Sequence, residues 1–386
     1  MSSPGQSAAE LFRELVQIPS RSQHEGAMAR FVGERLTRCG IPYVIDGSAL
    51  ATGSETGNVI ARVRHSHDRP TVLLIAHMDT VQTEGCAIQP VLGSDGVIRS
   101  GGDTILGADN KSAVAALLTV LASPRDDHAN VVAVFTTCEE RGVMGASQLA
   151  ALAPSVDLAL PLDGSRPVGT VFEAAFGQTP FDMHVTGHEA HAARFPTEGV
   201  HALRVACEVV AGLELGNRGD TVVNVGAIRG GSETNVVPGY VEVRGEIRGY
   251  STDAMNERFE QLEALASDVA ARAGASIRLV RRPEDGAPPF AHTGDPMCAA
   301  VAAAAAADLD LELTTMRCAE TLEANFLHAL GIPTLGIASG GRNPHSVEES
   351  IPAAEIDRLA TFVDALLRHA NTVTLTPFAA SREQHL

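Results

Sequence analysis

Thr71-Val72-Leu73-Leu74-Ile75-Ala76-His77-Met78-Asp79 is the stretch on which the fold turns. Residues 71–76 are apolar or β-branched without a charge among them, the composition of a buried strand, and the run ends in two ligand-type side chains. Side chains two apart share one side of an extended chain, so Asp79 is placed to hold the far imidazole nitrogen of His77 while His77 ligates a metal. Alone, a His-x-Asp pair is weak, since most such pairs are ordinary polar groups of a loop.

The same order, apolar strand and then ligand, recurs along the chain. Val131 to Thr137 ends in Cys138-Glu139-Glu140. Leu158 to Leu162 ends in Asp163, and Thr334 to Ile337 leads into Gly340-Gly341-Arg342-Asn343-Pro344-His345-Ser346. Gly107-Ala108-Asp109-Asn110-Lys111-Ser112 precedes an alanine-rich helix, where a flexible turn can aim Asp109 inward. A phosphate-binding loop is excluded there, because the glycine-spaced segment 102–107 is not followed directly by Lys and Ser/Thr. Strands that deliver their last residues to one sheet edge would gather these ligands where open α/β folds place active sites, and together they would make a two-metal hydrolytic site.

Two adjacent carboxylates at a strand exit repel each other unless cations or protons intervene. One of Glu139 and Glu140 can ligate while the other serves as general base with a raised pKa. Solvated acids at a helix start are the plainer alternative. His65-x-His67 sits in a charged turn without carboxylate neighbours and reads as a solvated hairpin tip.

Composition narrows the function classes. A chain of 386 residues suits two domains, and a formal net charge of −18 argues against a nucleic-acid partner, which would be held by clustered Lys and Arg. Lys111 is the only lysine, placed either to hold a negative side chain of the acidic site or at the surface. The six cysteines form no C-x-x-C pair and read as reduced thiols. The N-terminal residues lack a signal-peptide pattern and no apolar stretch is long enough to span a bilayer, so no membrane association and a cytoplasmic location are expected.

Strand and helix alternate up to Asp163: a helix at 111–121, a strand at 131–137, a helix at 145–152 and a strand at 158–162. This alternation predicts a mainly parallel, helix-covered sheet. The pattern then changes to strand 181–185, helix 201–213, strands 222–228 and 241–247, helix 253–273 and strand 276–280, the split βαβ order of a ferredoxin-like unit. Prolines 283, 288 and 289 mark a return linker. Helix 296–307, strand 311–315, helix 322–330 and strand 334–337 then resume the first pattern. Expected boundaries are 1–174 and 284–386 for the larger domain and 175–283 for the inserted one.

These residues resemble the M20 family of dinuclear zinc peptidases and amidohydrolases, and Ser100 to Lys111 looks most like its peptidase T branch. The resemblance implies an α/β fold: a phosphorylase/hydrolase-like zinc-peptidase catalytic domain with an inserted ferredoxin-like (βαββαβ) lid and dimerisation domain. It implies two Zn2+ per subunit, with Co2+ or Mn2+ as other occupants: His77 and Asp163 on one metal, Glu140 and His345 on the other, Asp109 bridging. Glu139 would be the general base, and the peptide after Asp109 would be cis. Gly187-His188-Glu189-Ala190-His191-Ala192 matches a lid motif whose second histidine reaches the partner subunit's site, so His191 is the candidate oxyanion donor of a homodimer. Asn235 and Arg248 match lid residues that hold substrate in some relatives, and Gly341 of the His345 loop is placed in the same class.

The expected substrate is a short peptide or an N-acyl amino acid, cleaved by a peptidase T-like exopeptidase, with a carboxypeptidase or dipeptidase and an N-acyl-amino-acid deacylase as rivals. A metal-free dimeric binding protein with a degenerate site is the alternative of a different class. One departure bears on specificity: peptidase T relatives tend to carry Gly-Gly-Ser-Asp-Ala-Asn where this chain has Glu320-Thr321-Leu322-Glu323-Ala324-Asn325.

Overall fold

The structure, a computed structural model, describes residues 6–81, 85, 87–282, 285–291 and 296–372. Cys86 and Pro283 of the expected linker lie outside the described residues. The chain divides into two compact units.

The first unit comprises Met1–Glu173, His292–Cys318 and Leu322–Leu386. Its main sheet runs Tyr43–Ile45, Val59–Val63, Asn130–Thr136, Thr71–His77, Leu158–Pro161 in spatial order. Thr71–His77 is parallel to both of its neighbours. Its side chains alternate between two cores: Val72, Leu74 and Ala76 join one, and Leu73 and Ile75 join the other. Asn130–Thr136 does the same with Val131, Ala133 and Phe135 against Val132 and Val134. Burial on both faces is why these strands read as continuous apolar runs.

On one face pack Ala8–Leu15, Gly26–Arg38, Ala108–Leu121 and Ala353–Thr372; on the other lie Ala146–Ser155 and Glu323–Ala329. The last long helix carries a clear apolar stripe, Ile356, Leu359, Val363, Leu366, Leu367 and Ala370, at helical spacing.

The structure corrects the sequence reading in four places. Val59–Val63 and Thr71–His77 do not form a hairpin, because Asn130–Thr136, buried along its whole length, lies between them and pairs with both. The polar segment between them folds over that strand's start, with the N–H groups of His65 and Ser66 donating to Asn130 Oδ1. The two outer strands, Tyr43–Ile45 and Val59–Val63, are antiparallel, so only the centre of the sheet is parallel. Ala146–Ser155 winds as a 3-10 rather than an α-helix and contains Pro154, which has no amide proton to give an α-helical ladder. The strand expected at 311–315 lies at Thr314–Cys318.

The second unit comprises Ala174–Ala291 with Ala319–Thr321. It is an antiparallel sheet in the order Gly216–Asn217, Thr221–Gly230, Tyr240–Gly249, Gly177–Thr186, Ser276–Arg281, joined through Ala202–Gly212 and Thr252–Ala273 in βαββαβ order. Its core gathers Phe181, Met183, Val185, Val241, Val243 and Ile247 from the strands with Val205, Val209, Phe259 and Leu262 from the helices. Gly245 stands opposite Phe181, and a Cβ there would lie 2.4 Å from Phe181 Cζ, so the ring fills the space that the missing side chain leaves. Among the described residues, no helix is long and apolar enough to cross a membrane.

Candidate metal centre

His77 closes its strand with 1% of its surface exposed. Nε2 lies 3.1 Å from Asp109 Oδ1, and Nδ1 lies 3.0 Å from the Asp79 carbonyl oxygen but 3.5 Å from the Asp79 carboxylate. The backbone carbonyl therefore orients the ring more closely than the carboxylate expected to do so. That carboxylate is occupied: Oδ1 accepts the Glu139 N–H at 3.0 Å, and Oδ2 accepts the Glu140 N–H at 3.2 Å and the Ser22 hydroxyl at 2.6 Å. Asp79 thus ties the His77 strand to the turn carrying the paired acids. Burial alone would raise its pKa, but the His77 bond and these donors hold it below the ordinary value.

Asp109 is placed by a loop wrapped around an acid that sequence reading missed. Glu349, buried, accepts the N–H groups of Leu106 and Gly107 on one oxygen, each at 2.7 Å, and that of Asp109 on the other at 2.9 Å. The Asp109–Asn110 peptide is cis, and Asn110 Nδ2 donates to the Leu162 carbonyl at 2.6 Å, joining this loop to the one carrying Asp163. Regular helix starts only after these two residues, whose dihedrals are not helical. Lys111 is fully buried rather than at the surface, and its Nζ donates to the Ile18 carbonyl at 2.7 Å. Burial lowers its pKa to about 7, against the pull of Glu349 and Asp79.

Glu139 and Glu140 sit on a single 3-10 turn entered through Cys138 in the left-handed region, φ 54°. His345, also at positive φ, brings Nε2 within 2.9 Å of Glu140 Oε1 and 3.6 Å of Asp109 Oδ2. Asp163 follows its strand with its N–H on the Ile337 carbonyl at 2.9 Å. Three sets of ligand atoms result, each lying within 4.8 Å of one another: His77, Asp109 and Asp163; Asp109, Glu140 and His345; and His77, Glu139 and Glu140. All six residues belong to the first unit.

The electrostatics are those of a cage short of positive charge. Burial, with Asp163 and Glu140 nearby, pushes the Glu139 carboxyl well above its ordinary range against the pull of His77. Burial and Asp109 do the same to Asp163, and burial raises Glu140 despite its bond to His345. His345, bonded to Glu140, rises to about 9. Burial would depress His77, yet its bonds to Asp109 and Asp79 carry it well above the imidazole range. Oxygen and imidazole donors at this spacing fit divalent cations, and the raised values mark protons that such cations would displace.

Glu323, inside the atypical 320–325 segment, is fully buried; Oε1 accepts the Thr136 hydroxyl, and Oε2 has no hydrogen-bond partner among the described residues. Burial lifts its pKa from the ordinary 4.5 to about 7. Between those two values the unfolded chain loses the proton and the folded one keeps it. Raising pH through that window should therefore cost the wild type about 3 kcal/mol of stability that Glu323→Gln does not lose. Urea unfolding of the metal-free proteins across the window tests this. A wild-type-minus-variant difference that stays flat with pH would rule it out.

The remaining candidates fall as follows. Gly341 lies in the first unit, where an added Cβ would meet Ser165 Oγ at 3.1 Å. His191, Asn235 and Arg248 lie in the second unit. His191 is exposed and pairs with Val236, next to Asn235, whose carbonyl accepts the Ala192 N–H at 2.9 Å. The N–H groups of Ala193 and Arg194 reach His191 Nδ1 at 3.3 Å each, which leaves the ring proton on Nε2. Arg248 is not free: its Nε is 3.0 Å from Glu246 Oε1.

Comparison with known proteins adds to this geometry. Residues 174–274 match the family model described as Peptidase dimerisation domain, and residues 58–197 match Peptidase family M28. The fold superposes on aminopeptidase PepT from Bacillus cereus with a TM-score of 0.87 at 27% identity, covering 94% of this chain and 98% of that one. A tripeptidase from Staphylococcus aureus gives 0.87 at 26% identity, covering 95% and 99%. A peptidase T-like protein of Rhizobium meliloti is 23% identical over 88% of this chain and 90% of its own length. The matched dimerisation domain, the two structures at a TM-score of 0.87 and the peptidase T-like relative together support an M20 metallopeptidase close to peptidase T.

Proposed function

We propose that this protein is a peptidase T-like exopeptidase that hydrolyses the peptide bond of a short peptide with two zinc ions per subunit. The observation that carries this reading is the pair of ligand sets sharing Asp109, one completed by His77 and Asp163 and the other by Glu140 and His345. Charge supports the count: with Glu139 the site holds four carboxylates, which two divalent cations would neutralise. When bound, the metals supply Lewis acidity, polarising the scissile carbonyl and making water acidic enough to lose a proton near neutral pH.

The chain's own residues do the rest. Glu139, crowded by acids and held by Asp79 through its N–H, accepts the proton of the attacking water and returns it to the departing amine. His191, with its proton on Nε2, donates to the carbonyl oxygen as negative charge builds there, supplied by the other subunit of a homodimer. Arg248 grips the substrate carboxylate once the substrate displaces Glu246. Asn235, beside His191, and Gly341, in the His345 loop, line the substrate.

The second reading is an N-acyl-amino-acid deacylase, favoured by the larger residues Glu320, Thr321 and Leu322 at the segment where peptidase T relatives tend to carry small ones. A screen of zinc-loaded protein against tripeptides, dipeptides and N-acetyl amino acids decides between them. Tripeptide cleavage releasing the N-terminal residue is the expected result. Turnover of N-acetyl amino acids alone would transfer the assignment to the deacylase, and no turnover of any amide would reject both.

A further inference from the structure

Three consecutive backbone N–H groups enter or lie within the turn that carries Glu139 and Glu140, and each ends on a buried carboxylate. Cys138 donates to Glu25 Oε1 at 2.9 Å, Glu139 to Asp79 Oδ1 at 3.0 Å and Glu140 to Asp79 Oδ2 at 3.2 Å. Asp79 arrives on the same strand as His77. Glu25 comes from elsewhere, the loop that enters helix Gly26–Arg38, and no step proposed above uses it.

Glu25 has none of its surface exposed. Besides Cys138 N–H, Oε1 accepts the Gln23 N–H at 3.1 Å and the Cys138 thiol at 3.4 Å, and Oε2 accepts the Ser54 hydroxyl. The same loop reaches the turn by two other routes. Ser22 donates to Asp79 Oδ2 at 2.6 Å, and the Arg141 guanidinium donates to Gln23 Oε1 at 2.9 Å. Three of the four residues from Ser22 to Glu25 therefore hold either the turn or the acid that supports it.

A fully buried carboxylate is costly, and a hydroxyl or amide could serve as an ordinary loop anchor. A carboxylate accepting N–H groups forms bonds roughly twice as strong as neutral ones. That strength acts at Cys138, which holds φ at 54°, a left-handed conformation that disfavours a non-glycine residue. Loosening the contact would let Cys138 relax, and the two acids after it would swing.

We propose that Glu25 is a positioning residue of the hydrolytic centre, forming with Ser22 and Gln23 a bracket that fixes turn 138–141 and so sets where the Glu139 and Glu140 carboxylates stand. The inference rests on the two-metal reading above. It makes an asymmetric demand, because Glu140 completes one ligand set with Asp109 and His345, whereas His77, Asp109 and Asp163 take nothing from the turn.

Calorimetric zinc titration of the metal-free protein, paired with steady-state cleavage of a tripeptide, tests it. Glu25→Ala should weaken one of two binding events by about 10–100-fold while the other moves by less than about threefold. The kcat should fall at least about tenfold with KM unchanged, as for a group that acts on the transition state alone. Glu25→Gln keeps an oxygen for the Cys138 N–H and should recover most of both quantities. Ser22→Ala, which leaves no buried charge unpaired, should shift them the same way by less, and it carries the test if Glu25→Ala fails to fold. Equal weakening of both events, or a Gln variant no better than the Ala variant, would overturn the proposal, as would wild-type kcat and metal affinities in Glu25→Ala or Ser22→Ala. A wild type that binds no second metal, or cleaves no amide, would instead remove the two-metal reading beneath it.

Discussion

Glu139→Gln should keep two metal ions per chain and lose about 10²–10⁴-fold in kcat. Glutamine matches the shape of glutamate and leaves the Glu139 N–H on Asp79 undisturbed, so the turn stays where it is. What it cannot do is take a proton. The structure makes the experiment decisive, because Glu139 also lies within ligand distance of His77 and Glu140. A base and a ligand predict different losses. If Glu139 is the base, elemental analysis reads the same metal content in both proteins while activity collapses; if it is a ligand, metal is lost with activity. A variant within about tenfold of wild type would place the base elsewhere.

The same substitution has a pH signature. Burial and neighbouring acids raise the Glu139 pKa, so protonation disables the base on the acid side and kcat/KM rises with pH as the carboxylate forms. Bound cations pull that value back down, so loading the metals should move the acid limb to lower pH. The residual rate of Glu139→Gln should lack this limb.

Residues that announce themselves by local pattern were legible in the sequence. His77, Glu139, Glu140 and Asp163 each follow an apolar run, and such runs are easy to read when a strand is buried on both faces. The ferredoxin-like order of the second unit was legible for a related reason, since its strands and helices switch cleanly between periods of two and 3.6. The supporting acids were not. Glu25 and Glu323 have no acidic neighbour and Glu349 is paired with Glu348 in a polar loop, and what marks all three is burial against backbone N–H groups or hydroxyls far away in sequence. Glu349 meets Asp109 across a separation of 240 residues, and Glu25 meets Cys138 across 113. No window of sequence contains such a pair.

Strand pairing was illegible in the same way. His65 to Arg69 has the composition of a hairpin turn, and only the insertion of Asn130–Thr136 between the flanking strands shows otherwise. Lys111 lies between these cases. Its uniqueness in the chain was visible, but a buried amine on the Ile18 carbonyl, close enough to feel Glu349 and Asp79, is a long-range fact.

Mixing two inactive variants should restore activity, and this tests the trans role of His191. Removing one oxyanion donor costs about 10²–10³-fold in kcat, so His191→Ala and Glu139→Gln should each be nearly silent alone. In a heterodimer of the two, the His191→Ala chain keeps its own Glu139 and borrows His191 from its partner, so one of the two sites is complete. The other site lacks both groups. Random reassortment makes half the dimers mixed, so a co-refolded equimolar mixture should recover about a quarter of wild-type activity, provided the chain is a C2 homodimer. If His191 served its own subunit, each site of the mixed dimer would lack one group and the mixture would stay silent. The match of residues 174–274 to a peptidase dimerisation domain favours recovery; the His191 ring, whose Nδ1 is occupied by the Ala193 and Arg194 N–H groups, leaves Nε2–H to donate in either arrangement. Silence in a mixture shown by analytical ultracentrifugation to be dimeric would place the oxyanion donor within the same chain.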